Sequence, residues 1–228
     1  MNVLFRVICI AIGYAFGLFQ TAYFYGKLKG VDIRKHGSGN AGTTNTLRVL
    51  GTKAGLIVFL GDIIKCILAV ALVSMFILHT DFGASYVDNL YLFKMYTAAG
   101  VILGHNFPVY MGFKGGKGIA ATAGFVISFH WSFVITGILA FFLPLTFTHY
   151  VSLGSLMIYV VHMIQLLICG QSGFFTNMTQ QSLNEMYILY FLLFSMAFLR
   201  HKKNIARLVK GTERKTYLSK KKKPMEEE

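Results

Sequence analysis

Acidic residues are scarce in this chain: nine Asp and Glu stand against 22 Lys and Arg, and charged residues of both signs occupy only 14% of its 228 positions. So little charge excludes an ordinary soluble domain of this length, which needs more polar surface to cover its core. Cysteine is also sparse. Cys9, Cys66 and Cys169 fall singly in apolar runs with no CxxC spacing, which excludes a disulfide framework or a cysteine-held zinc site and leaves them as small core residues. What is abundant is apolar: 55% hydrophobic residues, including 21 Phe, place the chain in the membrane class. The net charge of +13 does not read as a nucleic-acid footprint, because it is clustered. Six basic residues lie in 27–53, two in 114–117 and eleven in 200–223, and the long apolar runs are almost free of them. This is the positive-inside pattern, and it assigns all three segments to the cytoplasmic side.

Residues 3–24 are long enough to cross a bilayer of roughly 30 Å at 1.5 Å per residue, and Arg6 lies near enough to the end to reach the interface. A cleaved signal peptide is the competing reading, but the run is long and lacks a clear small-residue cleavage site. The second span, 54–78, is interrupted by Asp62 and Lys65, one helical turn apart, where they can face each other as a structural pair inside a bundle. Residues 79–89 carry Asp81 and Asp88 without Lys or Arg and read as external, so 90–107 returns inward. The stretch 119–170 can be cut into two helices near Pro144 or three with turns near His130 and His149. Only the three-helix cut, followed by a last span at 185–199, returns the basic tail to the side of the other basic segments.

The expected fold is therefore all-α, a polytopic integral membrane helix bundle with seven transmembrane helices, N-terminus external and C-terminus cytoplasmic. A membrane-embedded domain covers 1–215, and a charged, disordered cytoplasmic tail covers 216–228, near anionic headgroups. The fourth span, 118–129, reaches only about 18 Å as a helix and requires shielding by protein. Residues 171–184, polar and uncharged, are expected to form an external loop.

Three segments carry polar chemistry. Between 112 and 118, Gly112, Gly115, Gly116 and Gly118 alternate with Lys114 and Lys117. Glycines allow positive φ, so successive N–H groups can converge into a nest, and the lysines add charge that suits phosphate. A nucleotide P-loop is excluded, because Gly112-x-x-x-Gly116-Lys117 is one residue short and Gly118 stands where Ser or Thr should bind magnesium. The second segment, GSGNAGTTNTLR over 37–48, offers hydroxyls and amides from Ser38, Asn40, Thr44 and Asn45, then a bidentate fork at Arg48. In the third, a last helix continuing past residue 199 places His201 and Asn204 about one turn apart on one face, with Arg207 a further turn on. His105 reads equally as an interfacial cap or a site residue; His79, His130, His149 and His162 read as structural. Together these segments make a pocket rich in anion donors without paired carboxylates, and no metal site or cofactor is called for.

GSGNAGTTNTLR, GHNFPVYMGFKGGKGIAAT and HKKNIARLVKGTERK resemble, in order and spacing, the three cytoplasmic motifs of the bacterial acyl-phosphate-dependent glycerol-3-phosphate acyltransferases, the PlsY family. The resemblance implies transfer of a fatty acyl group from acyl phosphate to the sn-1 hydroxyl of glycerol 3-phosphate, giving lysophosphatidic acid and phosphate, an early step of phospholipid synthesis. The family's first motif falls on Ser38, Gly39, Asn40, Thr44, Asn45 and Arg48, with Thr43 in place of the usual alanine. The second falls on His105, Lys114, Gly115, Gly116, Lys117 and Gly118, and the third on His201, Asn204, Arg207, Glu213 and Lys215. Catalytic roles are expected for His201, Asn204 and Ser38, and substrate binding for Asn40, Thr44, Asn45, Arg48, His105, Lys114, Gly115, Gly116, Lys117, Gly118, Arg207 and Lys215. In this reading the 115–118 nest holds the donor phosphate, Arg48 and Lys114 grip glycerol 3-phosphate, and Ser38, Asn45 and Asn204 orient the reacting groups. The proton goes to His201 or to the donor's own phosphate. Expected partners are the two substrates and membrane lipids, with no nucleic acid and a monomer as the simplest state, in the bacterial cell membrane with the site on the cytoplasmic face.

Two other classes compete. A small-anion transporter would also carry basic cytoplasmic loops but would more often show repeat-related halves. An acyl-CoA-type acyltransferase would carry a His-x-x-x-x-Asp dyad, and none of the seven histidines is followed by Asp at that spacing.

Overall fold

An apolar segment has only its own carbonyls to satisfy its amides, so the long hydrophobic runs fold as helices. The computed structural model describes residues 3–216; the tail expected over 216–228 lies, Thr216 apart, outside the described residues. The helices are α1 (Val3–Gly17), α2 (Thr21–Leu28), α3 (Thr43–Leu50), α4 (Thr52–His79), α5 (Asp81–Ala84), α6 (Leu90–Asn106), α7 (Ile119–Phe129), α8 (Trp131–Thr148), α9 (Val151–Gln171), α10 (Gln180–Arg200) and α11 (Lys202–Val209). Five are long and apolar enough to cross a membrane, namely α4, α8, α9, α10 and the Val3–Leu28 run counted across its break.

The middle of the bundle is built by close approach. Gly13 and Gly17 of α1 lie against Gly100 and Gly104 of α6, where a Cβ on Gly100 would enter the Ile10 carbonyl and one on Gly104 the Tyr14 carbonyl. Small residues four apart on both helices let two backbones touch, the usual means of helix association in lipid. Cys66, Leu92, Met95, Phe125, Tyr159 and Tyr190 then join α4, α6, α7, α9 and α10 in one core. Seven of the eleven residues of α7 are buried, so this short helix is shielded by protein as its length requires. Outside, Leu56, Leu60, Ile64, Leu68, Leu72 and Met75 leave an exposed apolar stripe along α4, suited to lipid.

The chain turns at His130 and His149. The His130 ring accepts from the Ser132 amide at 3.2 Å, and His149 ends α8 in the left-handed conformation, φ +60°. Two boundaries differ from expectation. The first span is not one helix: it breaks at 18–20, and the carbonyls freed there receive Lys65 Nζ on Phe19 (2.8 Å) and Gln20 Nε2 on Gly17 (3.3 Å). The last span, α10, starts at Gln180 rather than 185, because Thr179 caps it by accepting from the Ser182 amide at 3.2 Å. Glu185 thus sits inside the helix, where Arg6 and Tyr96 bond to it. That cluster marks one pole of the bundle. Gly17, the end of α6 and the end of α10 meet at the other, where the three polar segments gather.

Candidate active site

The first wall is a loop braced by one side chain. Asn45 is buried on the first turn of α3; its Oδ1 accepts from the Ser38 amide at 2.7 Å, and its Nδ2 donates to the carbonyls of Ile33 and His36, each at 3.0 Å. Its amide is thus committed to shaping the loop, which differs from the expected contact with reacting groups. Ser38 stays exposed, and Arg48 projects from the last turn of α3.

The glycine–lysine loop also differs from the expected four-amide nest. The Gly115 amide donates to the Asn106 carbonyl (3.2 Å) and the Gly116 amide to the His105 carbonyl (3.1 Å). Arg200 Nη2 donates to the carbonyls of Gly115 (3.0 Å) and Gly116 (2.6 Å), while its guanidinium lies over the Phe107 ring. These two glycines fasten the loop to α6 and α10. Gly116 must lack a side chain, because a Cβ there would enter the His105 imidazole. The amides left to meet an anion are those of Lys117, Gly118 and the first turn of α7, which Gly118 opens at φ +79°. An N-terminal helix turn offers unpaired N–H groups and the positive end of its dipole.

The third wall begins where α10 gives way to α11. His201 is 2% exposed, and its Nδ1 lies 2.8 Å from the Ala197 carbonyl. A carbonyl only accepts, so Nδ1 carries the proton and Nε2 presents a lone pair. Burial, reinforced by the Lys117 charge, pushes the imidazole down to about 4 and keeps it neutral. Asn204, one turn on, accepts from Lys117 Nζ through Oδ1 and donates to Glu213 Oε1 at 2.7 Å. Glu213 also accepts from Arg207 Nε at 2.7 Å and from Ser152 Oγ at 3.2 Å. Burial alone would raise its carboxyl, but the bonds from Arg207 and Asn204 outweigh that and hold it low. Lys117 is lowered to about 8, by burial first and then, against Glu213, by Arg207 and Arg200.

All three walls face one cleft of about 1190 Å³. Among the described residues, ten cationic side chains line it against three carboxylates, and each carboxylate already holds a partner: Asp32 with Arg34, Asp62 with Lys65, and Glu213 with Arg207. The surplus suits a cleft that takes more than one anion. On its lining are Ser38, Asn40, Thr44, Asn45, Arg48, His105, Lys114, Gly115, Lys117, Gly118, His201, Asn204 and Arg207. Two expected residues, Gly116 and Lys215, are not on the lining, and Arg214 lines the cleft in place of Lys215. Sequence reasoning overlooked Arg200, Gln20, Ser152 and the connection of Asp62 to the site. Arg200 carried a faint signal as the first cation after an apolar run; the others depend on tertiary packing.

The glycerol-3-phosphate acyltransferase family model matches residues 7–211. The glycerol-3-phosphate acyltransferase of Clostridioides difficile is 37% identical, over 94% of this chain and 97% of its own length. The Bacillus subtilis protein of that name is 35% identical, over 90% and 95%. Among solved structures, PlsY, described as an integral membrane glycerol 3-phosphate acyltransferase, superposes in its glycerol 3-phosphate form with a TM-score of 0.76 and 29% identity, covering 93% of this chain and 96% of that one. Its lysophosphatidic acid form superposes with a TM-score of 0.73 and 28% identity, over 93% and 95%. With its three polar segments on one cleft and nearly its whole length matched, this chain belongs to the glycerol-3-phosphate acyltransferase family, that of PlsY.

Proposed function

We propose that this protein transfers a fatty acyl group from acyl phosphate to the sn-1 hydroxyl of glycerol 3-phosphate, releasing lysophosphatidic acid and inorganic phosphate. The observation that carries the reading is the single cleft on which all three basic segments meet, with surplus cations for two phosphates and an imidazole lone pair among them. An acyl phosphate is already activated, so the protein's task is to hold two anions and align them. In this reading the donor phosphate sits at the Lys117–Gly118 amides and the start of α7, with Lys117 beside it. Arg48 and Lys114 hold glycerol 3-phosphate, and Ser38 and Asn204 face the reacting groups.

The glycerol hydroxyl attacks the acyl carbonyl carbon, and the carbon–oxygen bond to phosphate breaks as the new ester forms. The hydroxyl proton leaves with that phosphate. An imidazole held near 4 accepts a proton poorly at neutral pH, so His201 Nε2 serves to orient the hydroxyl. The acyl chain enters between helices from the inner leaflet. Seven crossings, with the N-terminus external and the cleft cytoplasmic, account for the clustered positive charge, and a monomer holds every group the scheme uses.

The test is direct. Purified protein given glycerol 3-phosphate should yield lysophosphatidic acid and phosphate in equal amounts from acyl phosphate, and none from acyl-CoA; product from acyl-CoA alone would remove the donor assignment. A cysteine placed at Lys203 should react with an impermeant label only in inverted vesicles.

A further inference from the structure

Beneath the cleft, within the bundle, Asp62 and Lys65 are 1% and 5% exposed. Lys65 Nζ lies 2.8 Å from an Asp62 oxygen, donates to the Phe19 carbonyl at 2.8 Å, and sits 3.0 Å from His105 Nδ1. Asp62 also accepts from Thr21 Oγ1 at 3.1 Å. Its own distance to His105 Nδ1 is 3.6 Å, too long for a hydrogen bond. The lysine, not the carboxylate, is therefore the imidazole's partner. An ammonium only donates, so Nδ1 must offer its lone pair and the imidazole proton must sit on Nε2. Gln20 Nε2 fixes the backbone there by donating to the His105 carbonyl at 2.9 Å. The Nε2 edge stands against Gly116, where a side chain would collide with it. Asp62 and His105 both reach the cleft wall, and Nε2–H has no hydrogen-bond partner among the described residues.

A buried ion pair is weak evidence for stability, because well-packed neutral groups often serve as well. This pair does something a neutral pair cannot, which is to set the proton position on a histidine beside the anion-holding loop. We infer that Asp62 and Lys65 are positioning residues that lock His105 in the Nε2–H form and aim that donor at a phosphoryl oxygen in the cleft. The inference rests on the proposed transfer reaction for its substrates, and the phosphoryl group belongs either to the acyl donor or to glycerol 3-phosphate.

The experiment pairs nitrogen NMR of histidine-labelled full-length protein with kinetics of the Asp62→Asn/Lys65→Met double variant, which removes both charges without stranding either. The wild-type His105 signals should show a neutral ring with Nε2 protonated. The double variant should melt close to wild type yet lose ~10-fold or more in kcat/KM, the scale of a misplaced contact. A KM increase for acyl phosphate alone assigns the donor as the source of the oxygen, and one for glycerol 3-phosphate alone assigns the acceptor. A wild-type ring protonated on Nδ1, or a double variant with wild-type kinetics, overturns the inference. If the double variant does not fold, the wild-type spectrum decides. If wild-type protein makes no lysophosphatidic acid, the proposed reaction fails while the spectrum still tests the lock.

Discussion

The two poles of the bundle handle charge in opposite ways. At one, Arg6 and Glu185 join α1 to α10 with Tyr96 donating to the same carboxylate at 2.6 Å, so charge closes on itself. At the other, among the described residues, ten cations face three carboxylates that are already engaged. Positive charge is left over for something else. A fold that needed both poles only for cohesion would pair them alike, so the difference separates the part of the molecule that holds it together from the part that acts. The asymmetry is also chemical. At the first pole the carboxylate is engaged by a guanidinium and a phenol, whereas the second keeps a neutral imidazole with Nε2 open and an ammonium lowered to about 8.

Changing one group at each pole breaks or sharpens this contrast. The largest effect is expected at His201. Replacing it with Gln should lower turnover by ~10² or more, the range for losing a positioned acid–base or orienting group, with acyl phosphate still bound. Near-normal turnover would remove His201 from the mechanism. At the opposite pole, Arg6→Met leaves Glu185 partly buried with Tyr96 as its remaining hydrogen-bond partner among the described residues. The cost should be about 2 kcal/mol of stability, below that of a fully buried pair because both side chains keep some solvent. Turnover at saturating substrate should not move. A variant that melts normally but turns over slowly would mean that the poles are coupled and the division is false.

How much of this was legible in the sequence follows the same division. The cationic pole was readable because its residues are clustered along the chain: glycine and lysine in 112–118, Ser38 to Arg48, and His201 with Asn204 one turn apart. The turns at His130 and His149 were readable because the basic tail had to return to one side. What escaped is everything set by packing between distant segments. Gln20 reaches His105 across 85 positions, Arg200 reaches Gly115 across a similar gap, and Asp62 meets His105 only because α4 and α6 are adjacent. The nest was misjudged for a local reason. Glycine reports that a backbone can turn, not where its amides point, and here two of them point back at α6.

A smaller effect is expected at Lys117, whose charge is shared with Asn204. Lys117→Met should raise the KM for acyl phosphate ~10-fold, roughly the loss of one charge-assisted hydrogen bond. In wild type the same KM should climb as pH passes about 8, where the lowered ammonium gives up its proton. Lys117→Arg should keep its charge and move that limb upward. An unchanged alkaline limb in the arginine variant would assign the titration to another group.

The smallest effect concerns stability in acid and isolates what burial does to His201. In the unfolded chain this ring takes a proton near its ordinary value of about 6.5, whereas in the fold burial holds it at about 4. The depressed value means that the unfolded state binds the proton first on acidification. Its contribution to stability is therefore complete above pH 6.5 and is lost as pH falls from there toward 4. Between pH 7 and 5.5 this single group should remove about 1 kcal/mol. Other groups titrate in the same range, so the informative quantity is the difference between wild type and His201→Gln, which cannot take the proton in either state. The wild-type melting temperature should fall more steeply than the variant's over that interval. Parallel curves would show that the folded imidazole titrates like a free one, and the open Nε2 would then belong to a solvated ring rather than to a desolvated wall of the cleft.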